Sequence, residues 1–242
     1  MWVFNVTRQI VRAAGLEVLP ATVPQTNEDM VAAAMEGVVD PVTDRVRVVK
    51  VHNNVRPEIP NSRFILPRRD VRDAMVSFMR FMRCDFEAGL EFARNAMASA
   101  RHYDSFPPDR ALFIDYADIV SRAASVVDTI GEFLEAPLDP ETSDAIAGAL
   151  DKKNVAHTIR ETEQDLIRRS RAGGTISSGE LVVLGPQDVR AFDTATGFQT
   201  GHVSDYREGD WKRILTAHQR ARLAALMAAC DHSPAWRELE PA

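Results

Sequence analysis

Short β-branched or apolar runs that lead directly into amphipathic helical patterns constrain this chain more than any other feature. Residues 63–66 (Arg-Phe-Ile-Leu) form such a run. Asp70 follows as an N-cap residue, and Val71, Ala74, Met75, Phe78, Met79 and Met82 then recur on one helical face. Residues 111–115 (Ala-Leu-Phe-Ile-Asp) repeat the pattern, with Asp118 as the expected cap of a helix carrying Ile119, Ala123, Val126, Val127, Ile130, Phe133 and Leu134. A third run, 45–51 (Arg-Val-Arg-Val-Val-Lys-Val), ends at the loop His52-Asn53-Asn54. Strands that alternate with helices in this way predict an α/β fold, with a central, largely parallel sheet flanked by helices. Ligands of such sheets bind beyond the carboxyl ends of the strands, where Lys50 and His52, Arg68 and Arg69, and Tyr116 all fall.

The remaining segments fit one domain spanning 1–242. Phe4, Val6, Thr7, Ile10 and Val11 form a stripe that predicts a first helix ending at Gly15. Residues 141–170 and 217–230 are helical in pattern. The Gly/Ser/Thr-rich stretch between them carries one candidate strand at 181–184, and 173–203 is expected to be a mobile loop or an insertion. With 45% hydrophobic and 26% charged residues the chain can bury a real core, which excludes disorder as its main state. A net charge of −6 argues against non-specific nucleic-acid binding. No apolar run reaches the ~18 residues of a membrane span. Cys84 and Cys230 stand far apart without a C-x-x-C, which fits a reducing cytoplasm and offers no zinc site. No His/Asp/Glu cluster has metal-ligand spacing, so no metal is expected.

Chemistry concentrates at 66–78. A strand ends, arginines follow at the turn, and the free N–H groups of a helix N-terminus sit beside Arg69, which suits an anion. Ser77 lies about two turns along that helix. Arginine, seven residues, then serine on the helix after a strand (R-D-V-R-D-A-M-V-S, Arg69 to Ser77) resembles the 3′-phosphate motif of the sulfotransferases that use 3′-phosphoadenosine-5′-phosphosulfate (PAPS). Other segments resemble the same family, in its order. Val49-Lys50-Val51-His52-Asn53 is similar to its K-[TS]-H. Phe113-Ile114-Asp115-Tyr116-Ala117-Asp118-Ile119 is similar to its Y-E-D-L, and Glu132-Phe133-Leu134 to the end of the following helix. Gly209-Asp210-Trp211-Lys212 with Thr216 is similar to its G-D-W-K-N-x-x-T. The chain is thus identified as resembling a bacterial-type PAPS-dependent sulfotransferase of phosphate-loop nucleotide fold.

That resemblance implies sulfuryl transfer from PAPS to an acceptor hydroxyl or amine, with adenosine 3′,5′-diphosphate (PAP) as product. His52 would be the general base and Lys50, expected on the same face of its strand, would stabilise the leaving group. Arg69 and Ser77 would hold the 3′-phosphate and Tyr116 would contact adenine. Two departures accompany it. The family's P-K-S-G-T-T-W loop is represented only by Met1-Trp2, so the first strand and the 5′-phosphosulfate cradle are expected to precede the given start, and Trp2 takes the adenine-stacking position. Where the family has R-K-G, the chain has Ser204-Asp205-Tyr206, and Arg207, shifted by three, is the candidate replacement; His202 is a polar alternative. Two further readings stay open: a non-catalytic nucleotide-fold protein acting as a binding or assembly partner, and a nucleotide-kinase-like enzyme. The latter lacks a G-x-x-x-x-G-K-[ST]. A small-molecule or carbohydrate acceptor is expected, while Phe86, Phe92, Tyr103, Phe106, Phe192 and Phe198 leave an aromatic one open.

Overall fold

The structure, a computed structural model, describes residues 1–39, 44–51, 61–185 and 188–230. In chain order the elements are α1 (Trp2–Ala13), β1 (Glu17–Leu19), α2 (Asn27–Val39), β2 (Arg45–Arg47), β3 (Phe64–Arg68), α3 (Val71–Met82), α4 (Phe86–Asp104), β4 (Ala111–Asp115) and α5 (Tyr116–Ser121). They continue as α6 (Ala123–Phe133), α7 (Pro140–Ala149), α8 (Lys152–Arg171), β5 (Leu181–Gly185), β6 (Asp188–Ala191), α9 (Trp211–Ile214) and α10 (Ala217–Ala229). Several boundaries follow from side chains that accept otherwise orphaned N–H groups. Asp70, Asp85, Asp139, Asp151 and Thr216 each cap the helix that follows. The fold is α/β, with β1 parallel to β2 and β3 parallel to β4, while β5 and β6 pair antiparallel. Among the described residues these are three two-stranded ladders.

Two compact units divide the chain. The first comprises 1–62 and 121–203. Its helix α1 buries the expected stripe, with Val6 and Ile10 fully inaccessible, and packs against α6 and α7. Phe4, Val11, Val18, Val23, Val48 and Phe192 form a core beside it. Each such side chain removed from water contributes about 1.5–3 kcal/mol. The predicted strand at 45–51 is shorter than expected. β2 ends at Arg47, and after Val48 N–H donates to Leu19 O at 2.8 Å, the partner strand gives way to Pro20, which has no N–H with which to extend the ladder. Segment 173–203 carries a Ser177-capped turn, the predicted strand β5, an unpredicted β6, and buried Phe192 and Phe198.

Arg8 is the unexpected resident of this unit. It is 1% exposed, lies over the Phe4 ring at 5.4 Å, and donates to Pro20 O and Ala21 O at 2.9 Å each. Burial holds its guanidinium below the usual arginine range, with Arg12 adding repulsion. Charge-assisted bonds of this kind are worth about 1.5–3 kcal/mol apiece. Arg8→Ala, which breaks two and leaves both carbonyls unpaired, is therefore expected to lower stability by about 3 kcal/mol in urea unfolding.

The second unit comprises 63–120 and 204–242. β3 and β4 run in register from Phe64 opposite Ala111 to Arg68 opposite Asp115. Strand β3 thus continues two residues past the predicted end, through Pro67, which an edge strand accepts. Its core is Val71, Met75, Val76, Phe86, Leu90, Ala93, Met97, Leu215 and Leu223. Gly89 permits close contact of α4 with α3, since a Cβ there would lie 2.7 Å from Met79 Sδ. The long helix expected after Asp118 is two. α5 starts at Tyr116, so Asp118 lies inside it, and the backbone at Arg122 (φ −148°) separates it from α6.

Candidate functional site

In the second unit the site is built where β3 hands over to α3. Arg68, the last residue of β3, pairs with its register partner Asp115 through Nε and Nη2 at 2.8 and 3.2 Å. That fork-to-carboxylate pair holds the carboxyl ends of the two strands together. Asp70 accepts from Arg72 N–H at 2.8 Å and starts the helix. Arg69, between them, places its guanidinium carbon 4.7 Å from the centre of the Tyr116 ring. Tyr116 is 43% exposed, which leaves part of its ring open to solvent. Two of the expected nucleotide contacts are therefore adjacent, one cationic and one aromatic, beside a helix N-terminus.

Ser77 lies half-buried further along α3. Arg207 is exposed in a turn where its N–H donates to Asp210 Oδ2 at 3.0 Å. Trp211, expected to pack rather than react, sits against the core of this unit and under Arg72, at 4.4 Å from the guanidinium carbon to the ring centre. Arg72 in turn is gripped by Asp70 at 2.5–3.0 Å.

Sequence reasoning missed Asp73. Its side chain is 1% exposed, and its two oxygens face Gly209 N–H at 2.8 Å and Trp211 N–H at 3.5 Å. The available signal was an acid on the apolar side of α3, next to Met75 and Val76. Buried carboxylates need donors, and none is close in sequence.

In the first unit, Trp2 is the half-buried first residue of α1. Lys50 lies beyond the end of β2, not on the strand, so the expected alternation of Lys50 with His52 along a strand does not apply at Lys50. Its Nζ lies 3.3 Å from Met1 Sδ, and burial pulls its pKa down to about 8. His52 lies outside the described residues. His202, the polar alternative, is half-buried. Gln199 N–H donates to its Nδ1 at 3.1 Å, and burial, with the positive charges of the Met1 amino group, Lys50 and Arg190, pushes it down to about 3. It is thus a neutral imidazole near Lys50. The turn before it is docked on α1 by Asn5 Nδ2–H donating to Thr196 O at 3.0 Å.

The aromatic residues that left an aromatic acceptor open are mostly core. Phe86, Tyr103, Phe106, Phe192 and Phe198 are buried, and Phe92 stacks on Phe78 at 4.3 Å. Among the described residues, no group of three or more His, Cys, Asp or Glu is placed to hold a metal, and no helix is long and apolar enough to cross a membrane.

Residues 52–140, which run from His52 through Arg69, Ser77 and Tyr116, match the sulfotransferase family. Among solved structures, the crystal structure of mouse sulfotransferase SULT7A1 complexed with PAP is similar to this chain at 14% identity. The match has a TM-score of 0.50 and covers 92% of this chain and 88% of that one. No curated protein matches the sequence.

Proposed function

We propose that this chain, with a sulfotransferase fold and a sulfotransferase-family segment at residues 52–140, moves a sulfuryl group from PAPS to an acceptor hydroxyl or amine. The observation that carries the reading is the placement of Arg69 against Tyr116 at 4.7 Å, at the head of α3. An adenosine 3′-phosphate needs an anion contact and an aromatic surface close together, and this pair offers both. PAP, present in the mouse structure, is proposed to bind here through Arg69, Ser77 and Tyr116, with Trp2 and Arg207 as further contacts.

His52 acts as the base. The acceptor oxygen attacks sulfur, the bond from sulfur to the bridging oxygen breaks, and the acceptor proton passes to the imidazole. The leaving PAP takes the electron pair of the broken bond. The Lys50 ammonium is the cation assigned to that developing charge, and being desolvated it acts more strongly than a solvated lysine. The acceptor is proposed to be a small molecule or carbohydrate.

The test is calorimetric titration of PAP into the purified chain, followed by transfer of labelled sulfuryl from PAPS to a panel of phenol, sugar and amine acceptors. Saturable PAP binding with transfer supports the proposal. Binding of ATP with Mg²⁺ in preference to PAP would overturn it.

A further inference from the structure

Buried carboxylates are costly unless amide donors surround them, and Asp73 meets that need with a loop 136 residues away in sequence. Its Oδ2 accepts from Gly209 N–H at 2.8 Å and its Oδ1 faces Trp211 N–H at 3.5 Å. Gly209 has φ +84°, a left-handed conformation suited to glycine, and that conformation aims its N–H at the carboxylate. Two more contacts fasten the same loop to α3. Arg72 lies over the Trp211 ring at 4.4 Å, and Arg80 over the Tyr206 ring at 5.4 Å. Residues 73, 77 and 80 repeat at i, i+4 and i+7, so Asp73, Ser77 and Arg80 share one side of the helix. Loop 206–211 is therefore fastened to α3 at positions on either side of Ser77, with Arg207 between the anchored residues Tyr206 and Gly209.

We infer that Asp73 is a positioning residue that holds loop 206–211 on α3, so that Arg207 is presented to the anion bound at Arg69 and Ser77. This rests on the proposed PAP site. Asp73 touches no nucleotide itself; both of its oxygens are turned to the loop amides, and it acts through Arg207.

The test is a double-mutant cycle on PAP binding, read by calorimetry, with Asp73→Asn and Arg207→Ala alone and combined. Asp73→Asn keeps the size of the side chain but puts an NH₂ where one amide needs an acceptor. It is expected to weaken PAP about 10-fold, and to add almost nothing once Arg207 is alanine. Gly209→Ala is the companion variant. A Cβ there meets no atom within 4 Å, so the change acts through backbone conformation alone, and it is expected to reproduce the loss. Should Asp73→Asn fail to fold, Gly209→Ala carries the cycle with Arg207→Ala. Additive losses, or unchanged affinity in a folded variant, overturn the positioning role and leave the PAP site standing. No PAP binding by the wild-type chain overturns the functional reading and the presentation of Arg207 with it. Amide hydrogen exchange then still decides the anchor: faster exchange at Gly209 and Trp211 in Asp73→Asn supports it, and unchanged exchange refutes it.

Discussion

Replacing His52 with alanine is expected to lower turnover by about 10²–10⁴-fold while leaving PAP binding unchanged. The acceptor then has no positioned group to take its proton, whereas the nucleotide contacts at Arg69, Ser77 and Tyr116 remain intact. The pH profile sharpens the test. In the wild type, activity should rise as an imidazole loses its proton, and fall again as Lys50 loses its own through about 8. An ordinary lysine would place that second limb near 10.5. His52→Ala should remove the acid limb and keep the alkaline one. The stability sign runs the other way for Lys50. Between about 8 and 10.5 the unfolded chain binds the proton that the folded chain has released, so stability rises with pH across that window. Activity lost above about pH 8 is therefore not unfolding driven by Lys50. A His52→Ala enzyme that turns over at the wild-type rate would refute the base assignment.

Arg69→Ala should weaken PAP by about 1.5–3 kcal/mol, the worth of a charge-assisted contact, or roughly 10–150-fold in Kd. Arg69→Lys is expected to recover only part of this. It restores the charge but loses the planar face that lies against Tyr116. Arg68→Ala is the matched control, because its guanidinium is committed to Asp115 and its loss acts on the β3–β4 junction. Calorimetry separates the two. If Arg69→Ala binds PAP as the wild type does, the 3′-phosphate contact lies elsewhere.

Local signals carried much of this architecture. Asp70 marked the start of α3, and Val71 and Met75 its buried side, whereas Met82 at the end of the expected face is exposed. The stripe Phe4, Val6, Ile10 and Val11 marked the buried side of α1. The likeness to sulfotransferases, read from short motifs in order, agrees with the match over 52–140 and with the fold. What escaped depends on contacts distant in sequence. The early end of β2 follows from Pro20, just past the neighbouring strand, and β6 is set by its antiparallel pairing with β5. The partial burial of His202 accompanies a turn that docks onto α1. Asp73 is the clearest example. A carboxylate inside an apolar face looks like a misfit until the amides of Gly209 and Trp211 are brought to it. Arg69 and Tyr116 were each legible singly, but their adjacency is a product of the register that sets Arg68 opposite Asp115.

The division of the chain into two interleaved units also sets an order of events during synthesis. The second unit draws on 63–120 and then, after 83 residues of the first unit (121–203), on 204–242. Leu215 and Leu223 complete the core around Val71 and Met75. On the ribosome, α3 and α4 therefore emerge with an unfinished apolar face, which stays uncovered until α10 has left the exit tunnel. At 5–20 residues per second, the roughly 100 residues between the end of α4 and α10 take about 5–20 s to make. For that interval the nascent second unit is a natural client for a chaperone that recognises exposed Met, Val and Leu.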